Sequence, residues 1–416
     1  VPDTPRRTGV RAANAAAVLA VIRRDGPLSR AAIGERTGLS MPTVSRQVGV
    51  LIELGLLREF PELVPVGAIG RPRVPIHLDD TTFAACGVHI GVSTITYGLA
   101  DLRGTLLDSE EIPTPPGGPE DVVAHIAGKV RAFLRRWPRR RVVGIGLASG
   151  GLVDAEHGLL DHDRLGWHRV PAADLLRRAT GYPVHLDGHV AAMANAELLF
   201  GWGPRVSSLL YFYAREVVGI AFSIDGVLHR GPGGGGSIAH LPIGGDVRCP
   251  CGATGCLEAT VADRTVADRA LAAGVVDEPD IRLVRAAATA GDPTASGLLA
   301  DRAAALGRAV GLLRDALNPD RVVLGGQAIT DPAERLPDLL RAFAATTTLP
   351  GTDIVSVTRF GPTLQATAAC TGLLNRLFDH PLDLLDQAPR PDQVAGTHQP
   401  AHPRTPPRTA DPVGAP

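Results

Sequence analysis

Four ligand-type side chains crowd into one short stretch of this chain and constrain its fold more than any other feature. His240, Cys249, Cys251 and Cys256 stand as H-x8-C-x-C-x4-C within 17 residues. Three thiols and an imidazole, with no carboxylate and no vacant corner, describe a closed tetrahedral site for structural zinc. Gly252 and Gly255 leave the loop free to fold back around an ion. The bland alternative is three unligated thiols beside an unrelated histidine. The chain has five cysteines, which cannot all pair with one another, so metal ligation comes before disulfide. Cys86 and Cys370 lie in apolar runs and read as buried core thiols.

Charge divides the chain unevenly. Residues 1–78 hold eleven arginines against six acidic residues, about +5, while the whole chain of 416 residues carries −1. A basic head on an acidic body implies that only the head meets a polyanion. The head's pattern agrees. Ala15, Val18, Leu19 and Ile22 share one face of a helix over 12–24, which Gly26-Pro27 stops. Ser29 is a good cap for a second, short helix carrying Ala32 and Ile33. After the Thr37-Gly38-Leu39-Ser40 turn, a third helix points Val44, Val48 and Leu51 inward. Thr43, Ser45, Arg46 and Gln47 are then expected outside, where a recognition helix offers side chains to the major groove. Arginine can fork onto a guanine edge and glutamine onto an adenine edge. Two extended stretches flank Gly70-Arg71-Pro72-Arg73, a wing whose Arg71 and Arg73 would reach backbone or minor groove. The competing reading is a small three-helix bundle with a solvated arginine face.

A chain of this length is too long for one core and implies two or three domains. The reading is 1–78 for a winged helix-turn-helix, 79–200 for one lobe of an α/β body and 201–386 for a second lobe with the zinc loop. The last helices are allowed to return to the first lobe. Strand-like runs CGVHIGV, RVVGIGLAS, LLYFY and DRVVLGG alternate with helical stretches, as in an α/β body. Gly87–Gly104 and Leu209–Gly226 echo one another as strand, glycine turn, strand, which hints at two halves with a cleft between. Residues 387–416 hold eight prolines and no Leu, Ile or Phe, the composition of a disordered tail. No apolar run approaches about 18 residues and VPDTPRRTG lacks a hydrophobic signal core, so the expectation is a cytoplasmic protein that does not enter a membrane.

Beyond these residue-level readings, the chain resembles the ROK family (repressors, open reading frames, sugar kinases), in its transcriptional-regulator branch of the NagC and XylR kind. The motifs are Gly70-Arg71-Pro72 in the head, GVHIGVSTITYGLADLRG, PVHLDGHVAAMANAELLFG and IAHLPIGGDVRCPCGATGCLE. The resemblance covers about 12–385 and implies a two-lobed, actin-like, ribonuclease-H-like ATPase fold with sugar in the cleft. It also implies a homodimer or homotetramer and a double-stranded DNA operator as partner.

The family's kinases carry an Asn-Asp pair that binds sugar and takes the hydroxyl proton; here those positions are Gly188 and His189. Their Asp-x-Gly-x-Thr loop, whose Asp helps hold Mg-phosphate, reads His89-Ile90-Gly91-Val92-Ser93. Their second phosphate loop, Gly-Thr-Gly-x-Gly, reads Ala214-Arg215-Glu216-Val217-Val218-Gly219. Only Leu324-Gly325-Gly326 resembles the adenosine-side glycines. Three altered elements argue against phosphoryl transfer, which depends on positioning and charge stabilisation. Gly-Glu-x-Gly-His becomes Gly236-Ser237-Ile238-Ala239-His240, leaving Asp187, His189, His240 and Glu258 as candidate contacts to a sugar or sugar-phosphate effector. Glu258 could equally steady the zinc loop.

The favoured expectation is a DNA-binding regulator, a repressor of carbohydrate metabolism, that senses its ligand in a catalytically degenerate cleft. The alternatives are a bifunctional ROK sugar kinase using ATP and Mg, and a ligand-independent regulator with a vestigial pocket.

Overall fold

The computed structural model describes residues 7–63, 74–202, 206–230, 237–331 and 333–387. The wing tip with Arg71 and Arg73, the glycines at 231 and 233–236, and the tail from 388 onward lie outside the described residues.

The head is α1 (Arg7–Asp25), α2 (Arg30–Thr37) and α3 (Met41–Glu53), then the antiparallel pair β1 (Leu57–Glu59) and β2 (Ile76–Leu78). Its helices start where the sequence signals them. Ser29 is extended and its hydroxyl accepts the Ala32 amide at 3.3 Å, satisfying one orphan donor of α2. Pro42 sits in the first turn of α3, as the missing N–H permits. Ser40 is also extended, but its hydroxyl meets Thr43 Oγ1 at 2.9 Å instead of a backbone amide. The apolar faces read from sequence converge: Val18, Leu19, Ile22, Ile33, Val44 and Leu51 are fully buried.

The body opens with β3 (Phe83–Ile90), β4 (Thr94–Asp101) and β5 (Leu106–Pro113), followed by α4 (Pro119–Leu134) and β6 (Arg141–Ser149). A small antiparallel sheet follows, of β7 (Leu152–Asp154), β8 (Leu159–His162) and β9 (Trp167–Val170). Then come α5 (Ala172–Thr180), β10 (Val184–Gly188) and α6 (His189–Phe200). These build a five-stranded sheet in the order β10-β6-β3-β4-β5, with β3–β4–β5 antiparallel and β3–β6–β10 parallel.

The second half repeats the plan. Its elements are β11 (Ser208–Ala214), β12 (Val218–Ile224), β13 (Val227–Leu228), α7 (Leu257–Val261), α8 (Asp263–Ala272), α9 (Ile281–Thr289) and α10 (Pro293–Leu317). They continue with β14 (Arg321–Gly325), α11 (Gln327–Thr330), α12 (Leu336–Thr346) and β15 (Val355–Val357). The sheet order is β13-β12-β11-β14-β15, again an antiparallel hairpin start with parallel additions. The echo between Gly87–Gly104 and Leu209–Gly226 is thus the opening hairpin of each sheet.

Of the two last helices, α13 (Leu364–Asp379) returns to the first sheet, and α14 (Pro381–Gln387) packs on α13 and on α1 of the head. Helix α13 lies on that sheet so closely that side chains cannot intervene. A Cβ on Gly87 would stand 2.6 Å from the Cys370 amide nitrogen, and one on Gly98 2.7 Å from the Ala366 carbonyl oxygen. The near end of α13, with Leu364, Ala368 and Ala369, packs in a core shared with Leu209, Tyr211 and Val323 of the second sheet. Its far end, with Leu377 and Phe378, joins one continuous core with Leu19 and Ile22 of the head. Arg23 pins this joint, donating to the Leu199 carbonyl at 3.1 Å and standing 5.5 Å over the Phe378 ring. One helix therefore touches both lobes and the head. No helix among the described residues is long and apolar enough to cross a membrane.

Candidate DNA-reading face, metal centre and inter-lobe cleft

Helix α3 presents Ser45 and Arg46 to solvent, with Thr43 half-buried beside Ser40. Gln47 is a correction. Expected outside, it is 1% exposed, and its Oε1 has no hydrogen-bond partner among the described residues. The reason is angular: Gln47 follows Val44 by three residues and precedes Leu51 by four, so it falls within the buried stripe. The spacing that placed Val44 and Leu51 inside carried this signal too. Arg71 and Arg73 fall in the segment outside the described residues.

The four ligand-type residues gather as expected. The donor atoms of His240, Cys249, Cys251 and Cys256 all lie within 4.8 Å of one another. Cys249 Sγ is 3.5 Å from His240 Nδ1, and Cys251 Sγ is 3.7 Å from Cys256 Sγ. A tetrahedral ion about 2.3 Å from sulfur and about 2.0–2.1 Å from nitrogen would set edges near 3.8 and 3.6 Å. The donor set therefore fits a metal ion of zinc's size. Gly255, left-handed at φ +74°, closes the loop where a Cβ would meet Gly244 backbone at 2.8 Å. Cys86 and Cys370 are fully buried, and burial pushes the Cys86 thiol up to about 12.

Helix α7 starts directly after Cys256, and its Glu258 reaches the cleft. Glu258 Oε2 accepts the Val218 amide at 3.0 Å. The carboxylate thus holds the β11–β12 turn, the loop that in a kinase would offer its amides to phosphate. That turn also carries Arg215 and Glu216, which line a cavity of about 550 Å³ with Ser93, Arg164, Asp263 and Gln327. Charges across it pair internally: Arg164 stands 3.9 Å from Glu216, and Arg215 the same distance from Asp263. Burial, reinforced by Asp263, raises the Glu216 pKa above its ordinary value.

At the floor of the cleft three histidines converge. His89 ends β3 and His189 opens α6; their rings stack 5.8 Å apart and nearly parallel at 7°. His162 of β8 approaches from the small sheet: a Cβ on Gly150 would be 3.5 Å from His162 Nε2 and 3.7 Å from His189 Cε1. Tyr213 of the second sheet leans on His189 at 4.9 Å. Burial lowers His189 to about 3, with His89 and His162 adding to the shift. Burial likewise lowers His89 to about 4, helped by Arg215. His89 Nε2 and His162 Nδ1 have no partner among the described residues.

Asp187 is 1% exposed, and both of its oxygens are engaged. Arg230 grips it bidentately at 2.7 and 2.8 Å, and the Gly188 amide donates at 2.9 Å. Arg230 follows β13, so this pair ties the second sheet to the first. Sequence reading missed Arg230 and His162. Each sits far along the chain from its neighbours, and neither stands in a local motif.

Comparison with known proteins completes the description. A ROK family model matches residues 85–355, and a MarR family model matches residues 8–62. Transcriptional regulator Rv0485 of Mycobacterium tuberculosis is 42% identical over 386 residues, spanning 89% of this chain and 87% of that protein. The DNA-binding transcriptional dual regulator NagC of Escherichia coli is 27% identical, over 76% of this chain and 81% of its own. Among solved structures, a ROK family transcriptional regulator, a homolog of the E. coli MLC protein, superposes with TM-score 0.73 at 24% identity, covering 89% of this chain and 99% of that one. A ROK hexokinase from Thermus thermophilus gives TM-score 0.60 at 30% identity, covering 71% and 99%.

Proposed function

Because the chain belongs to the ROK family, we propose that it is a DNA-binding transcriptional regulator, a repressor of carbohydrate metabolism, whose cleft senses a sugar or sugar derivative. The observation that carries this reading is the head: α3 exposes Ser45 and Arg46 while its other face packs into a core that runs on into α13. Arg46, Ser45 and Thr43 read the operator, with Arg71 and Arg73 on flanking phosphates or minor groove. We divide the chain into 1–78, 79–200 and 201–386, with the last helices returning to the first lobe.

The cleft supports sensing better than phosphoryl transfer. A general base works best with a pKa near the operating pH, and burial holds His189 far below it. Glu216 places a carboxylate where phosphate oxygens would lie. The β11–β12 turn spends one amide on Glu258, so fewer remain to cradle an anion. Neutral imidazoles at His89, His162 and His189 suit hydroxyl groups, since each can donate at one nitrogen and accept at the other. A ligand that prefers one inter-lobe angle biases α13, and α13 carries the change to the head. A homodimer or homotetramer would convert that change into a different spacing of paired heads.

We assign His240, Cys249, Cys251 and Cys256 to one structural zinc ion, which when bound supplies a cross-link and no reactive water. The chain's own part is to fix α7 behind Cys256, and with it the Glu258 clasp on the cleft turn.

One specific observation favours a ligand-independent regulator: Asp187 and Glu258 are already engaged, leaving fewer groups for hydroxyls. A thermal-shift screen over sugars and sugar phosphates separates the two, since only a sensor is stabilised.

The main reading is tested by operator binding. Arg46→Ala is expected to cost about 1–3 kcal/mol and relax one operator position. Unchanged affinity and specificity would remove the recognition helix from the account. Wild type and His189→Asp, incubated with Mg-ATP and glucose, mannose, xylose or N-acetylglucosamine, are both expected to release no sugar-dependent ADP; turnover by wild type would restore the kinase reading.

A further inference from the structure

The acidic body contains one strongly basic run. Residues 131–141 read RAFLRRWPRRR, six arginines in eleven residues and no acid. The run forms the last turn of α4, the loop after it and the first residue of β6. It sits at the root of the wing hairpin. Arg140 donates to the Asp80 carbonyl, and the Arg141 amide donates to the Thr82 carbonyl at 2.9 Å, both in the linker leaving β2. Asp80 also receives Arg58 of β1 at 3.4 Å and Arg103 at 3.1 Å. The run thus lies beside the linker that joins β2 to the first lobe.

Pairing does not neutralise the run. Arg136 is held by Asp108 and Glu110 at 2.9 and 3.2 Å. Arg131 donates to the Ala179 carbonyl, a dipole without net charge. Arg135 and Arg139 are exposed and have no ion-pair partner among the described residues. The Pro138 turn holds them clear of the sheet while Phe133 and Trp137 anchor the loop below.

We propose that Arg135 and Arg139, with Arg140 beside them, form a second DNA-contacting surface that engages phosphates flanking the operator. This inference rests on the reading of the head as a DNA-binding module. Guanidinium groups suit phosphate oxygens because their planar fork donates two parallel hydrogen bonds. Such contacts add affinity and orientation without reading sequence. They would extend DNA contact from the head onto the first lobe.

The test uses the full-length protein and random-sequence duplexes, because phosphate contacts are sequence-independent. Fluorescence anisotropy is recorded between about 50 and 200 mM salt, on a duplex of about 40 base pairs and on one of about 16. Arg135→Ala/Arg139→Ala is expected to bind the long duplex roughly tenfold more weakly, with the log–log salt slope shallower by about 1.8, two contacts at 0.9 each. The short duplex is expected to bind alike in both proteins, and Arg135→Lys/Arg139→Lys to recover most of the slope. Arg46→Ala serves as the head's own control. A double variant with unchanged affinity and slope on the long duplex overturns the second surface, while a loss in Arg46→Ala keeps the head reading. Equal loss on both duplexes also overturns it, because the arginines would then act within the head's footprint. Wild type that binds neither duplex overturns both.

Discussion

The two five-stranded sheets share strand order and opening hairpin, yet they have met different fates. In the first, Gly87 and Gly98 are filled by the backbone of α13, which leaves no room for a Cβ. In the second, the hairpin turn carries Arg215, Glu216 and Val217, and Glu258 occupies the Val218 amide beside it. Glycines with a steric task persist. The turn of the second sheet is instead held by ion pairs and a carboxylate clasp. The two halves share a plan but differ in what holds them: backbone packing in one, charged side chains in the other.

The contrast can be broken from either side. The largest effect should come from the His240–Cys256 loop, where the candidate zinc ligands gather. Cys256→Ser is expected to lower stability by about 4–5 kcal/mol and to abolish one tightly bound zinc per chain. Elemental analysis finding no zinc in wild type, or an unshifted melting curve in the variant, would remove the cross-link. Next comes the first sheet: Gly87→Val should cost about 3 kcal/mol, because overpacking against backbone cannot relax, read by urea denaturation. If it melts like wild type, α13 does not lie where its contacts put it.

A pH profile sharpens the comparison at the cleft floor. Burial lowers His189 to about 3 and His89 to about 4, against an ordinary 6.5. Between those values the unfolded chain holds more protons than the folded one, so stability is full above about pH 6.5 and falls as pH drops through that window. His189→Asn should flatten the acid limb; an unchanged limb would show that the stacked histidines do not govern it. The smallest effect belongs to Gln47→Leu. Removing a buried amide whose Oε1 lacks a partner should be neutral or stabilise the head by about 1 kcal/mol, with operator affinity unchanged. A loss of affinity there would return Gln47 to the recognition face.

Local signals were legible in the residue order, and long-range partnerships were not. Ser29 announced α2, apolar spacing announced the buried faces of α1 and α3, and the H-x8-C-x-C-x4-C spacing announced the ligand cluster. Gln47 was misplaced only because its polarity outweighed its angular position. Arg230 and Asp187 are 43 residues apart, as Glu258 and Val218 are 40 apart, and no local pattern encodes such pairs. The return of the last helices to the first lobe was anticipated, but not the contact of α13 with both lobes and the head. The Ala, Thr and Gly-rich surface of α13 carries little periodic contrast, because it is buried on nearly every side.

The Asp187–Arg230 pair has a consequence for timing. A cleft tied across by a bidentate ion pair, with Asp187 buried and Arg230 part-exposed, widens only when that pair lets go. Ligand association then follows the opening frequency of the tie, and the observed rate levels off as ligand concentration rises. The protein would register a lasting supply of its ligand and ignore a brief pulse.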